Sequence, residues 1–542
     1  MGVLTGVGPL FRLALRRDRI KLPVWILVVA GSAFGTIPAT LDVYAGNVAQ
    51  QQLYAHTTAS SIISRIFGGP IHGPEIGEIV MNETFLTIAV LVAFMSTLAI
   101  VRHTRQNEET GRSELISSGV VGRHASLSAA LLLILLANII AGLLVALAFR
   151  SNGLPLAGSL AVGGSLVGIG MVFAAIAAIT SQVAESARGA NALAGAALGV
   201  LFMLRAIGDG LGTLTPNGMG IQSAWPSWLS PIGWAEQIYP YSMQRWWLLG
   251  VFGVAVVVLA TVAYVLNAIR DQGLGMLPAR RGPASASSFL TGPLGLAWRL
   301  QRGTLMGWTV GILIMGATVG LVAEEFKDLF KDNPQIVEAL GGDAGGDITN
   351  ALFTGMFAFM AMAIAGYTLQ ALLRVRAEEV AGRLEPLLAK SVSRTRWLWS
   401  HLFCVALGAI FLCALLGFTS AISYVLVTHA SWSQVPGITT AAMVHIPAIL
   451  VAGGLCYLVF GLWPRMVAAI SWAVLGVSIF MFQFATVVKM PHWLMNLSPF
   501  THTPPALGHA LALKPLAILL VIAIALFAVG FASFRQRDLA TS

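Results

Sequence analysis

Long apolar runs, separated by short charged stretches, set the pattern of the chain. Uncharged apolar segments long enough for a helix to cross a hydrocarbon core fall near 22–41, 84–101, 126–149, 157–180, 189–205, 246–267, 305–323, 351–373, 399–428, 440–462, 466–488 and 512–534. Each predicts a transmembrane α-helix. An even number of spans puts both termini on one side, so the expected fold class is an all-α polytopic membrane protein with twelve transmembrane helices. The first run is longer than a signal-peptide core and has no convincing small-residue cleavage site, so it is read as a retained helix.

Composition agrees with this pattern: 57% of residues are hydrophobic, 10% are charged and the mean hydropathy is +0.80. The net charge of +9 would raise nucleic acid as a partner in a soluble chain. Here the basic residues sit in short loops, where they set topology and face lipid head groups. Five precede the first span, four lie in 102–125, five in 268–304 and six in 374–398. The positive-inside rule therefore makes these segments, and both termini, cytoplasmic in a multi-pass plasma-membrane protein, with the acidic stretch Glu324–Asp347 outside. The outer loops at 42–83 and 206–245 are about forty residues each, too short for independent domains of ordinary size. Cys404, Cys413 and Cys456 lie in apolar segments with no metal or redox spacing.

The chain repeats itself. Positions 102–131 set against 373–402 without a gap share nine of thirty residues, among them Arg105/Arg376, Glu108/Glu379, Gly111/Gly382, Arg112/Arg383, Glu114/Glu385, Val121/Val392 and Arg123/Arg394. Shorter matches follow in the same order: Arg17–Trp25 with Leu300–Trp308, the segments after Arg188 and Arg465, and PSWLSP (Pro226–Pro231) with PHWLMNLSP (Pro491–Pro499). The expected organisation is a fused pseudo-dimer of two parallel six-helix halves, 1–269 and 294–542, joined by a cytoplasmic linker over 270–293.

The repeated segment is charged where the rest of the chain is not. Glu108 with Arg112 and Glu379 with Arg383 are four apart, and Arg105 with Glu108 three apart, spacings that support a cytoplasmic helix continuing from the second span of each half. A topology signal needs only scattered positive charge. Fixed recurrence of Gly, Glu, Val and Arg fits a recurring binding surface better.

EETGRSELISSGVVGR and EEVAGRLEPLLAKSVSR resemble the loop after the second helix in permeases of ATP-binding-cassette type-2 exporters, and the LSP before the sixth span of each half resembles the same family. Two such units in one chain are similar to the large actinobacterial permeases of tetronasin or polyketide-antibiotic export. The resemblance implies that 105–123 and 376–394 hold coupling helices that dock on two P-loop ATPase subunits. Glu108, Gly111, Arg112, Glu114, Val121, Arg123, Glu379, Gly382, Arg383, Glu385, Val392 and Arg394 would then be contacts or supports, with Arg188 and Arg465 in smaller second contacts. Leu115, Ile116, Leu387 and Leu388 would pack on the partner. Arg12–Ile20 and Leu294–Leu305 resemble the amphipathic elbow helices that lie on the inner leaflet.

The chain contains no G-x-x-x-x-G-K-[ST]; it has six lysines and none follows a glycine. It is thus expected to be a transport subunit and not an enzyme, with no cofactor of its own, ATP and Mg being bound by the partner subunits. An ion-coupled carrier would place ionisable groups inside the spans; Arg205, Asp209 and His445 come nearest. His72, Glu75, Glu78 and Glu83 form the one His/carboxylate cluster outside, without a metal spacing. Aromatic and Met residues in the spans (Phe94, Met95, Phe202, Met203, Phe357, Phe359, Met360, Phe480, Met481, Phe482 and Phe484) are candidates for an apolar cavity. The expected cargo is a lipophilic compound such as a polyketide antibiotic or other drug, with a lipid or cell-envelope precursor as the alternative.

Overall fold

The computed structural model describes residues 2–271, 273–276, 284–285, 287–330, 348–389, 392–484, 490–508 and 511–538. Most of the acidic stretch 324–347, part of the linker, the end of the predicted span 466–488 and the side chain of Phe484 lie outside this description. Eleven helices among the described residues are long and apolar enough to cross a membrane. The remaining expected span is a helix over Val467–Phe484 whose apolar part is shorter, Val467–Phe482. The chain is an all-α polytopic membrane protein, and it divides into two compact units, Met1–Arg281 and Gly282–Ser542.

In the first unit an amphipathic helix, α1 (Val7–Arg17), precedes the first span, α2 (Lys21–Tyr44). Helices α3 (Val48–Ser60) and α4 (Ile62–Gly68) cover the far end, and α5 (Ile76–His103) returns as the second span. Two short helices follow, α6 (Arg105–Glu109) and α7 (Arg112–Ser117). The spans α8 (Ala125–Ser151), α9 (Leu156–Val183) and α10 (Ala187–Gly210) come next. A two-stranded antiparallel hairpin pairs Thr213 with Gln222 and Leu214 with Ile221, a short helix α11 (Pro231–Glu236) follows, and the sixth span is α12 (Trp247–Ile269). The LSP triplet heads α11 here, not the sixth span: Ser230 Oγ accepts from the Ile232 amide at 3.3 Å.

The core of this unit is built around α9, which packs on α5, α8, α10 and α12. Apolar matching does not drive helices together in lipid, so close approach through small residues must do it. A Cβ on Gly163 would lie 2.6 Å from the Gly142 carbonyl oxygen of α8, and one on Gly168 would lie 2.5 Å from the Phe252 ring of α12. The glycines of α9 are thus contact residues.

The second unit begins with one uninterrupted helix, α13 (Pro293–Phe330). The separate elbow expected at Leu294–Leu305 is therefore absent; that segment runs straight into its span. In the first unit the break between α1 and α2 falls at Asp18, whose carboxylate is drawn to Arg102 and His103, each at 2.9 Å. Gln301 stands at the corresponding place in the repeat and bonds His401 at 3.0 Å, so no charge pulls the backbone out of the helix. The unit continues through α14 (Ile348–Val380), α15 (Leu384–Leu388), α16 (Arg394–Thr428), α17 (Val435–Met443) and α18 (Ile446–Leu462). It closes with α19 (Val467–Phe484), α20 (His492–Met495) and α21 (Leu513–Gln536).

Candidate functional site

Each unit holds its charged loop by the same clamp. In the first, Arg105 is 1% exposed. It donates to Glu108 at 2.7 Å, to the carbonyls of Leu274 at 3.0 Å and Gly273 at 2.9 Å, and to that of Glu185. Glu108 is gripped from the other side by Arg270, at the end of the sixth span, through bonds of 2.7 and 2.5 Å. Arg270 also reaches Gln182 at 2.9 Å, and Arg123 donates to the carbonyls of Asn267 at 3.0 Å and Arg270 at 2.7 Å. In the second unit Arg376 meets Glu379 at 3.0 Å, Arg537 meets the same carboxylate at 2.9 Å, and Arg394 donates to the Arg537 carbonyl at 2.6 Å.

These contacts sort the repeated residues. Glu108, Arg123, Glu379 and Arg394 tie their loops to the end of the sixth span, so they are supports of the loop. The expected four-apart pairs do not form. Gly111 and Gly382 take the left-handed backbone, φ 71° and 67°, a region glycine enters without penalty, and the chain turns there before Arg112 or Arg383 can lie over the preceding turn. Arg383 instead approaches Glu378 at 3.3 Å. Val121 is half-buried beside Gly6, and Val392 packs on the core of its unit.

The other repeated residues face outward. Helix α7 has no buried residue; Arg112 and Glu114 are exposed, and Leu115 is 78% exposed. In the second unit Arg383, Glu385 and Pro386 are exposed around α15, while Leu387 and Leu388 are half-buried against the core. Arg188 is exposed in the first turn of α10, and Arg465 is exposed in the turn before α19. Glu109 fastens the first of these turns to the loop by accepting from the Ala187 amide at 3.0 Å. Each unit thus presents a short polar and apolar face on a segment anchored to two spans.

Arg270 and Arg537 were not singled out by the sequence reading, although each precedes an Asp at the end of its sixth span. That shared Arg-Asp pair was the available signal. Asp18 escaped in the same way: it is buried, and although burial acts to raise its pKa, the hydrogen bond and charge of His103 and then Arg102 bring it below the usual carboxylate value.

At the far end of the first unit, Arg205 is fully buried between Asp209 at 2.6 Å and Glu236 at 3.1 Å and donates to the carbonyls of Ile66 and Arg65 at 2.9 and 3.1 Å. Burial, only partly opposed by Arg205, pushes the Glu236 carboxyl well above its usual range, and Asp209 adds to the rise. His72 pairs with Glu78 at 3.2 Å and Glu83 accepts from Tyr54 at 2.5 Å. Among the described residues no three His, Cys, Asp or Glu side chains are placed to hold a metal. His445 is buried at the start of α18.

The candidate cavity residues are spread over both units. Met95, Phe357, Met360 and Met481 are buried, while Phe94, Met203, Phe480 and Phe482 are exposed. Phe359 stacks on Phe482 at 6.1 Å and Phe202 lies under Arg205 at 5.5 Å.

The chain is thus a polytopic helical bundle whose repeated surface loops are clamped to the ends of its sixth spans. The C-terminal-domain model of the multidrug efflux system permease Rv1217c matches residues 290–535. The chain is also 36% identical over 543 residues to the multidrug efflux system permease protein Rv1217c of Mycobacterium tuberculosis, covering 98% of this chain and 95% of that protein. It belongs to this family of multidrug efflux permeases and is an exporter permease.

Proposed function

We propose that this permease is the membrane subunit of an ATP-driven exporter, energised by two P-loop ATPase subunits that dock on α7 with Arg188 and on α15 with Arg465. ATP and Mg are bound by those partners. The observation that carries this reading is the clamp, because a loop bonded to the last turn of the sixth span transmits a push at its tip into the bundle. On the positive-inside reading these loops and both termini are cytoplasmic. The cargo is a lipophilic compound such as a polyketide antibiotic or other drug, in keeping with the sparse charge of the spans; a lipid or envelope precursor would use the same route. For the ion-coupled alternative, the buried carboxylates toward the far end of the first unit are already engaged, Asp209 and Glu236 with Arg205 and Glu78 of α5 with His72.

Reversing charge at Glu114 and Glu385 together (Glu114→Arg, Glu385→Arg) tests the docking faces. Both side chains are exposed, so insertion and abundance should match the parent while ATP-driven efflux falls at least about tenfold, since like-charge juxtaposition at an interface costs several kcal/mol. Unchanged efflux would refute the assignment.

A further inference from the structure

In the first unit a cavity of about 600 Å³ opens between α1, α7 and the start of α8. Its walls divide by chemistry. Leu10 and Leu13 of α1 and Ala129 and Ala130 of α8 supply apolar lining, and Arg16, Arg17 and Arg112 line the same cavity. No carboxylate lines it. Asp18, the nearest in sequence, is engaged by Arg102 and His103. Burial, and then the charge of Arg112, lowers the pKa of the Arg17 guanidinium.

We infer that this slot binds the phosphate headgroup and upper acyl chain of an anionic phospholipid from the leaflet on which α1 lies. The volume lies within the range of small-molecule sites. Basic clusters on an amphipathic helix beside a membrane span attract anionic headgroups, and the helix preceding α2 places its cations at that level. The apolar lining takes an acyl chain, which a small soluble phosphate ester lacks.

The repeat supplies an internal control. At the positions of Ser126 and Ala130 the second unit carries Trp397 and His401, whose rings lie 5.1 Å apart and are buried, and Leu300 stands where Arg17 does. Arg299 and Arg383 keep the places of Arg16 and Arg112, so the second unit differs by the bulk at the slot and by one arginine of the three. A lipid seated there would touch α7 from behind, and its occupancy would set how α7 is held.

The test is native mass spectrometry of the full chain in mild detergent, titrated with phosphatidylglycerol or with phosphatidylcholine of the same acyl chains. The first phosphatidylglycerol should bind on the order of tenfold more tightly. Arg16→Gln/Arg17→Gln should abolish that preference, and Ala130→Trp should abolish it with the charges kept. Equal binding of the two lipids to the parent, or an undiminished preference in the double Arg variant, overturns the site. Glycerol 3-phosphate should leave the lipid in place; displacement by it would assign the arginines to a soluble phosphate ester and also overturn the lipid. Because Arg16 is exposed and Arg17 half-buried, the double variant decides the matter even if Ala130→Trp does not fold.

Discussion

At the scale of single residues, the clamp converts identity in the sequence into two kinds of role. Glu108 bridges Arg105 and Arg270, so Glu108→Gln leaves two guanidinium groups without the carboxylate between them. Loss of one partner from a buried pair costs about 3 kcal/mol, and hydrogen exchange over 104–124 should speed up accordingly. Glu114→Gln, six residues further on and exposed on α7, should leave exchange unaltered and change stability by no more than about 0.5 kcal/mol. Equal protection in the two variants would contradict the division. Spacing alone could not make it, because Glu108 and Glu114 recur with equal fidelity, and only the partner more than 160 positions later tells them apart. Glu236 was invisible for the same reason, being joined to Arg205 by the fold. Its folded-state pKa lies above the ordinary value of 4.5, so the folded chain keeps a proton that the unfolded chain releases, and stability falls as pH rises above that value. Glu236→Gln mimics the protonated side chain. Its melting temperature should therefore vary less than that of the parent between about pH 5 and 8, and an unchanged profile would show Glu236 to be ionised throughout.

Among the elements, the spans were the most legible features, since length and hydropathy are local properties. Eleven of the twelve expected segments coincide with helices that pass both tests. Legibility failed at breaks and turns, where a single tertiary contact decides. Asp18 separates α1 from α2, whereas Gln301 lets α13 run on; both sites look equally amphipathic in sequence. The packing of α9 was likewise hidden, because glycine in an apolar run reads first as a weakness of the helix. The contact with α8 gives Gly163 a positive role. A Cβ at that position would meet backbone, which cannot rotate away, so Gly163→Ala should destabilise the first unit by about 1–3 kcal/mol. Gly199 has nothing within 4 Å of its Cβ position, and Gly199→Ala should instead be neutral or slightly stabilising through helix propensity. Thermal unfolding of the two variants in detergent distinguishes them, and equal melting temperatures would argue against close α8–α9 packing.

For the whole molecule, one chain carries the clamp twice, and this determines the assembly expected of it. Each clamp leaves one outward face, so one permease chain should bind two ATPase subunits. The faces differ in a way that bears on strength. The first offers Leu115 at 78% exposure and Val120 at 64%, while the second has Pro386 in place of Leu115 and keeps Leu387 and Leu388 half-buried. More apolar surface is available for burial on the first, and burial of a leucine contributes about 1.5–3 kcal/mol. Gentle extraction and native mass measurement should therefore give a complex of one chain with two P-loop subunits, and rising detergent should remove one subunit before the other. The order is testable by single charge reversals. Glu114→Arg should remove the tightly held subunit and leave the weak one, so that little ATPase survives mild washing; Glu385→Arg should leave one subunit firmly bound. Loss of both subunits from Glu385→Arg, or retention of both by Glu114→Arg, would contradict two independent docking ends of unequal strength, and that reading would have to be given up.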